Sequence, residues 1–175
     1  MGISTDFKEK DAVEKAVRFI LIFSLVFSFF YLVPYSVLPW HQMEFVTANI
    51  SVNVLNTIDS RYEIYDFDGV WIQNEAFEAL IIPLCTGYLE IVVLAGLIVA
   101  SEDRTLRSRI FGMIGGFLAI FFINPFRVAW TIGIIRSSSL DTAMFAHDVM
   151  FKVFLFVFLV GYYVLWYIFL RNKIA

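Results

Sequence analysis

Residues 110–135 read IFGMIGGFLAIFFINPFRVAWTIGII, a run whose one charge is Arg127 and whose one side-chain amide is Asn124. Crossing a hydrocarbon core of ~30 Å takes ~20 residues of helix, and this stretch exceeds that. It predicts a membrane-spanning helix, and the rest of the chain reads the same way. Of 175 residues, 60% are hydrophobic and 18% aromatic, with 20 phenylalanines. A water-soluble domain of this size would expose far too much of that surface. Three more apolar runs complete the set: Ala16 to Leu38, Leu84 to Ala100, and Val149 to Leu170. The expected fold is mainly α, a polytopic membrane helix bundle of about four spans forming one integral membrane domain over residues 1–175. A net charge of −3 with no basic block excludes nucleic acid as a partner. The single cysteine rules out an internal disulfide. The polar N-terminus MGISTDFKEKDAVEK and the long run after it do not read as a cleavable signal peptide.

Cations set the orientation. Lys8, Lys10, Lys15 and Arg18 precede the first span, Arg104, Arg107 and Arg109 lie between the second and third, and Arg171 and Lys173 follow the last. With four crossings these places share one side, which the positive-inside rule makes cytoplasmic, with both termini. Residues 39–83 then form an extracytoplasmic loop between the first two spans. Its charges are mostly acidic, Glu44, Asp59, Glu63, Asp66, Asp68, Glu75 and Glu78 against Arg61. Within it, HQMEFVTANISVNVLNTI is compatible with a short interfacial helix, against the preference of its β-branched residues. Asp68-Gly69, between alternating aromatic and β-branched residues, predicts a β-hairpin. AFEALIIPL extends it as a further strand toward Cys85. Asn49-Ile50-Ser51 has the form of a glycosylation sequon, a triplet that arises often by chance.

Polar residues inside the spans carry the chemical signal. Gly112 and Gly116 make a small-xxx-small pair suited to close helix packing. Pro125 removes a backbone N–H and should kink or break the third helix. Counting from Ile110, Arg127 falls about 26 Å along, near the outer edge of the core. An ionisable group there is a functional candidate; the alternative is that it snorkels to headgroups or anchors a loop carboxylate. His147 begins the last span, also at the outer boundary, with Asp148 beside it as a cap or as a partner for the imidazole. The alternative is a solvated histidine. Cys85 opens the second span at the same face, followed by Thr86 and Gly87. A buried-edge cysteine is often a small hydrophobe, but a helix start and a nearby cation both favour a thiolate.

At these residues the chain resembles the exosortase/archaeosortase family of membrane-embedded cysteine transpeptidases. The resemblance lies in Cys85-Thr86-Gly87 leading into a span, Asn124-x-x-Arg127-Val128 in the next, and His147 opening the last, in the family's order. It covers about residues 80–165, and the chain is short for the family. It implies Cys85 as nucleophile with Arg127 and His147 as the other catalytic residues, and Arg136 as a competitor for the third place. Asn124, Thr86, Gly87 and Asp148 would be supporting residues. It also implies exported protein substrates with a C-terminal sorting signal: a short motif, an apolar anchor and a basic tail. The new C-terminus is handed to water, a lipid or another acceptor, with membrane lipid as surroundings and no cofactor. One cysteine and two histidines are too few for a metal site. Two other readings stand beside this one: a non-catalytic multipass scaffold that binds through its outer hairpin, and a small transporter built on a helix broken at Pro125.

Overall fold

A computed structural model of the chain describes residues 3–32, 37–58, 61–75, 77–137, 142, 145, 149 and 151–169. In order, the elements are α1 (Ile3–Leu32), α2 (Trp40–Asn56), β1 (Glu63–Asp66), β2 (Val70–Asn74), β3 (Phe77–Ile81), a 3-10 helix (Pro83–Thr86), α3 (Tyr88–Ala100), α4 (Leu106–Ser137) and α5 (Phe151–Phe169). The protein is a polytopic helical membrane protein with a small three-stranded sheet. Lys10–Leu32, Leu106–Arg136 and Lys152–Phe169 are long and apolar enough to cross a bilayer. Large apolar side chains are exposed along them, as at Leu25, Phe29, Phe156 and Leu165, a surface that suits lipid.

The second expected span differs from its reading. Helix begins only at Tyr88, because Pro83 starts a 3-10 turn and Gly87, at φ 78°, caps it in the left-handed conformation. The resulting 13-residue α3 rises about 20 Å, two-thirds of the core. It is enclosed rather than lipid-facing on one side: Phe23 of α1 packs against Gly96, and Leu94 against Gly116 of α4. The glycine pair in α4 performs the expected packing. A Cβ on Gly116 would lie 2.3 Å from Leu94, and one on Gly112 would lie 2.3 Å from the Trp166 indole of α5. Tyr162 donates to the Gly112 carbonyl at 2.8 Å and Trp166 to the Ser108 carbonyl at 3.1 Å, joining α5 to α4. Leu94, Ile98, Ile120 and Trp166 form the buried core of this layer.

Of the kink or break expected at Pro125, the break does not occur. α4 runs on to Ser137 as one element of 32 residues, about 48 Å long. The segment from Val128 to Ile135 therefore continues the third span, and the length beyond a ~30 Å core becomes the wall of a second layer. α2 packs on that wall, presenting Glu44, Thr47, Ala48, Ser51, Val52 and Leu55 as one buried helical stripe. Ser51 is fully buried, its hydroxyl 2.7 Å from the Thr47 carbonyl and 3.0 Å from that of Pro125. Tertiary burial outweighs the weak helix propensity of this β-branched segment.

The hairpin forms where expected. β1 pairs antiparallel with β2 across Asp66↔Val70 and β2 with β3 across Val70↔Ile81, in the order β1-β2-β3. Gly69 takes φ 115°, so the turn favours glycine, and a Cβ there would also lie 2.9 Å from the tip of the Leu80 side chain. Val70 and Ile72 point inward at 0% exposure and meet Ala48, Val52 and Leu55 of α2 and Val128, Ala129 and Ile132 of α4. At the far end of the bundle, Arg18 reaches Glu102 at 3.5 Å and Tyr167 donates to Asp103 at 2.6 Å. The Arg104 guanidinium stacks 3.7 Å over the Tyr167 ring. Arg18 and Arg104, expected on one side, thus share one physical end, opposite the sheet.

Gly112→Val should destabilise the bundle by about 1–3 kcal/mol, because the added carbons have the Trp166 indole to displace. Gly133→Ala, where a Cβ meets nothing within 4 Å, should be neutral or stabilising by up to about 1 kcal/mol through helix propensity. Unfolding of the purified variants in mixed micelles measures both.

Candidate functional site

The site is built on the turn between β3 and α3. Pro83 opens the 3-10 helix, and the Cys85 N–H donates to the Ile82 carbonyl at 2.7 Å. Thr86 is buried, and its hydroxyl donates to the Pro83 carbonyl at 2.6 Å, locking the turn. Gly87 then reverses the chain at positive φ and touches α4. A Cβ there would meet Ile120 at 2.8 Å and Asn124 at 3.3 Å. The three residues therefore divide the mechanics of the turn: Cys85 is displayed, Thr86 locks the backbone, and Gly87 permits close approach to α4. Cys85 is a free, half-buried thiol that precedes the α3 cap instead of occupying that helix's first turn. It packs at the rim of the outer core.

Across the gap, Asn124 is buried at 1% exposure, and its amide makes a short hydrogen bond to the Cys85 carbonyl. Its Oδ1 is buried and unpartnered among the described residues. Arg127 follows three residues later, so it occupies the neighbouring position one turn outward on α4. It is half-buried, and its Nε is buried without a hydrogen-bond partner among the described residues. The alternative in which Arg127 anchors a loop carboxylate finds no such pair among these residues. The structure thus joins Cys85 to Asn124 directly, with Arg127 next along the same helix. His147 and Asp148 lie outside the described residues.

Arg136 is separated from Arg127. Nine residues of helix place it about 13.5 Å further out and half a turn around the axis. There it stacks 6.0 Å from the centre of the Tyr62 ring. Burial pushes the Tyr62 hydroxyl up from its ordinary range, against a hydrogen bond from Asn74 that pulls it down.

Two features escaped the sequence reading. Glu90, one turn beyond Gly87, has a buried Oε2 with no hydrogen-bond partner among the described residues. Its signal was available, a lone carboxylate inside an apolar run. The other is an apolar cleft of about 310 Å³ beside the turn, lined in part by Phe30, Trp40, Pro83, Leu84 and Tyr88. Tyr88 closes one side of it, donating to the Phe30 carbonyl at 3.1 Å and meeting Trp40 edge to face at 4.6 Å. No sequence pattern marks a cleft whose walls come from separate elements.

A family model described as Transmembrane exosortase (Exosortase_EpsH) matches residues 12–167. The chain belongs to the transmembrane exosortase family. That match runs from α1 to α5, and so takes in the Cys85 turn, Asn124 and Arg127 together with the sheet. No curated protein and no solved structure matches the chain.

Asn124→Asp keeps the side chain's size and removes its donor, leaving the Cys85 carbonyl facing a second acceptor. We expect a loss of about 1–3 kcal/mol, read from reversible unfolding in mixed micelles. Gly87→Ala should be at least as damaging, because strain at positive φ adds to the clash with Ile120.

Proposed function

We propose that this exosortase-family protein is a membrane cysteine transpeptidase or protease that cleaves C-terminal sorting signals from exported proteins. The reading rests on one observation above others. The chain's single thiol sits in a half-buried turn held by a buried amide, and the helix that supplies that amide carries, three residues on, a cation whose Nε has no partner among the described residues. A scaffold has no need of that arrangement, and the continuous α4 removes the broken helix on which the transporter reading stood.

In the proposed reaction the Cys85 thiolate attacks the carbonyl carbon of the scissile peptide bond, and the π electrons move onto oxygen. Arg127 lies against that oxyanion, where a fixed cation in a water-poor site is most effective. Collapse of the tetrahedral adduct breaks the C–N bond, and His147 gives its proton to the departing amine. The neutral imidazole then takes a proton from the acceptor, whether water, an amine or a lipid hydroxyl. The acceptor attacks the thioester, and the thiolate departs to restore the enzyme. A thioester keeps the acyl group activated while one acceptor replaces another, as transfer requires. No cofactor enters the scheme.

The active site belongs at the extracytoplasmic face in this reading, with both termini in the cytoplasm. The acidic sheet layer sits at the Cys85 end, and Arg18 and Arg104 at the other, which agrees with the positive-inside rule. The cleft beside Pro83 and Leu84 offers an apolar berth for the first turn of a substrate's anchor.

Co-expression with a candidate substrate bearing a C-terminal anchor tests the reading. Cys85→Ala and Cys85→Ser should reduce processing to background while the protein stays in the membrane. Arg127→Ala should cost about 10²–10³ in rate, and His147→Ala about 10²–10⁴. Full processing by Cys85→Ala would eliminate the nucleophile assignment and return the protein to the scaffold reading.

A further inference from the structure

β3 is an edge strand, because the sheet runs β1-β2-β3. Its free side follows from the register. Asn74↔Phe77 is the pair next to the turn, and the pair flanking so short a connection exchanges backbone hydrogen bonds. Bonding pairs then alternate, so Phe77, Ala79 and Ile81 address β2 while Glu78 and Leu80 aim their N–H and C=O groups outward. Among the described residues no hydrogen bond reaches those outward groups. The side chains of Glu78 and Leu80 are also exposed, on the face turned away from the outer core. Native sheets rarely leave such an edge without a covering or a use.

We propose that β3 receives the substrate by β-strand addition: the extended segment just before the scissile bond pairs in parallel with Glu78 and Leu80. This rests on the reading of Cys85 as the nucleophile of a sorting-signal transpeptidase. The occupant is set by continuity with that site. β3 ends at Ile81, the Cys85 turn follows at once, and α3 then enters the apolar layer. A substrate with a short extended motif followed by an apolar anchor has the same order of parts and runs from the same side of the membrane. Laid beside β3 in the same direction, its motif occupies the strand's edge, its scissile carbonyl comes level with the turn, and its anchor descends beside α3. The opposite direction would carry the anchor away from the membrane. Main-chain hydrogen bonds then supply affinity with little dependence on sequence, and pockets for alternate side chains supply the selection.

Cross-linking decides it without requiring turnover. Cys85→Ser leaves a chain with no other cysteine, to which Glu78→Cys or Leu80→Cys is added singly. Each is paired in membranes with substrates carrying one cysteine at successive positions before the anchor, using a short thiol-to-thiol cross-linker. We expect linkage at every second substrate position, with the best partner of residue 78 two residues N-terminal to that of residue 80. The reverse order, a pattern without the two-residue period, or linkage only within the chain or to a second copy would overturn the proposal. Processing gives an independent check in the Cys85 enzyme. Leu80→Pro deletes the outward N–H while sparing the β2 ladder, and should slow cleavage about three- to tenfold with maleimide labelling of Cys85 unchanged. Leu80→Ala keeps that N–H and should slow cleavage less than Leu80→Pro does. Wild-type cleavage by a normally labelled Leu80→Pro would sink edge pairing, and if labelling is lost the cross-linking pattern decides. Should Cys85 prove dispensable for cleavage, the functional reading fails separately, and the cross-links still report on the edge.

Discussion

The Asn124 amide donating to the Cys85 carbonyl is the contact on which the two layers of this protein depend. It joins the turn that follows β3 to α4, the helix on which both layers pack. A buried amide that finds its partner stabilises modestly, whereas a buried carbonyl left without a donor is costly, so the turn has little freedom to sit elsewhere. Gly87 enforces the same approach from the other side, since any side chain there would push Ile120 and Asn124 away. The position of the thiol is therefore a consequence of packing between α3 and α4.

α4 accomplishes this by being longer than the membrane is thick. Its first half lies in the apolar bundle, where glycines admit Leu94, Tyr162 and Trp166. Its second half is a hydrophobic post for α2 and the sheet. Pro125 marks the passage between them, and the Ser51 hydroxyl within reach of its carbonyl shows α2 docking on the backbone at that point. A helix that ended at the proline would have left the outer layer nothing to pack against. Continuity through Pro125 also separates the two outer arginines of α4: Arg127 stays near Asn124, and Arg136 turns to the Tyr62 ring.

Much of this was legible in the sequence because it depends on local patterns. Apolar runs longer than a bilayer identify membrane helices, and Asp68-Gly69 identifies a hairpin because few residues tolerate positive φ. Cys85, Asn124 and Arg127 stood out because polar groups in apolar runs are expensive to keep. Elsewhere a local rule met a tertiary contact, and the contact decided the outcome. Proline breaks helices in isolation, yet α4 continues through it with α2 packed alongside. β-branched residues weaken helices, yet the α2 stripe gains more from burial than it loses in propensity. A 17-residue apolar run reads as one helical span, yet a glycine at positive φ confines its α-helix to 13 residues, with a 3-10 turn before it.

By itself, then, the sequence determined that the protein is a helical membrane bundle with a small hairpin, and which polar residues stand out within it. Hydropathy and turn chemistry act over a few residues, and need no partner to be read. Only the tertiary structure decided that Cys85 sits in a 3-10 turn clamped by Asn124 instead of within a helix. The same holds for the course of α4 beyond the apolar layer and for the open edge of β3 that leads to the thiol. Those outcomes turn on which buried groups find partners across the fold, and hydrogen bonds between residues 39 positions apart leave no periodic trace in the chain.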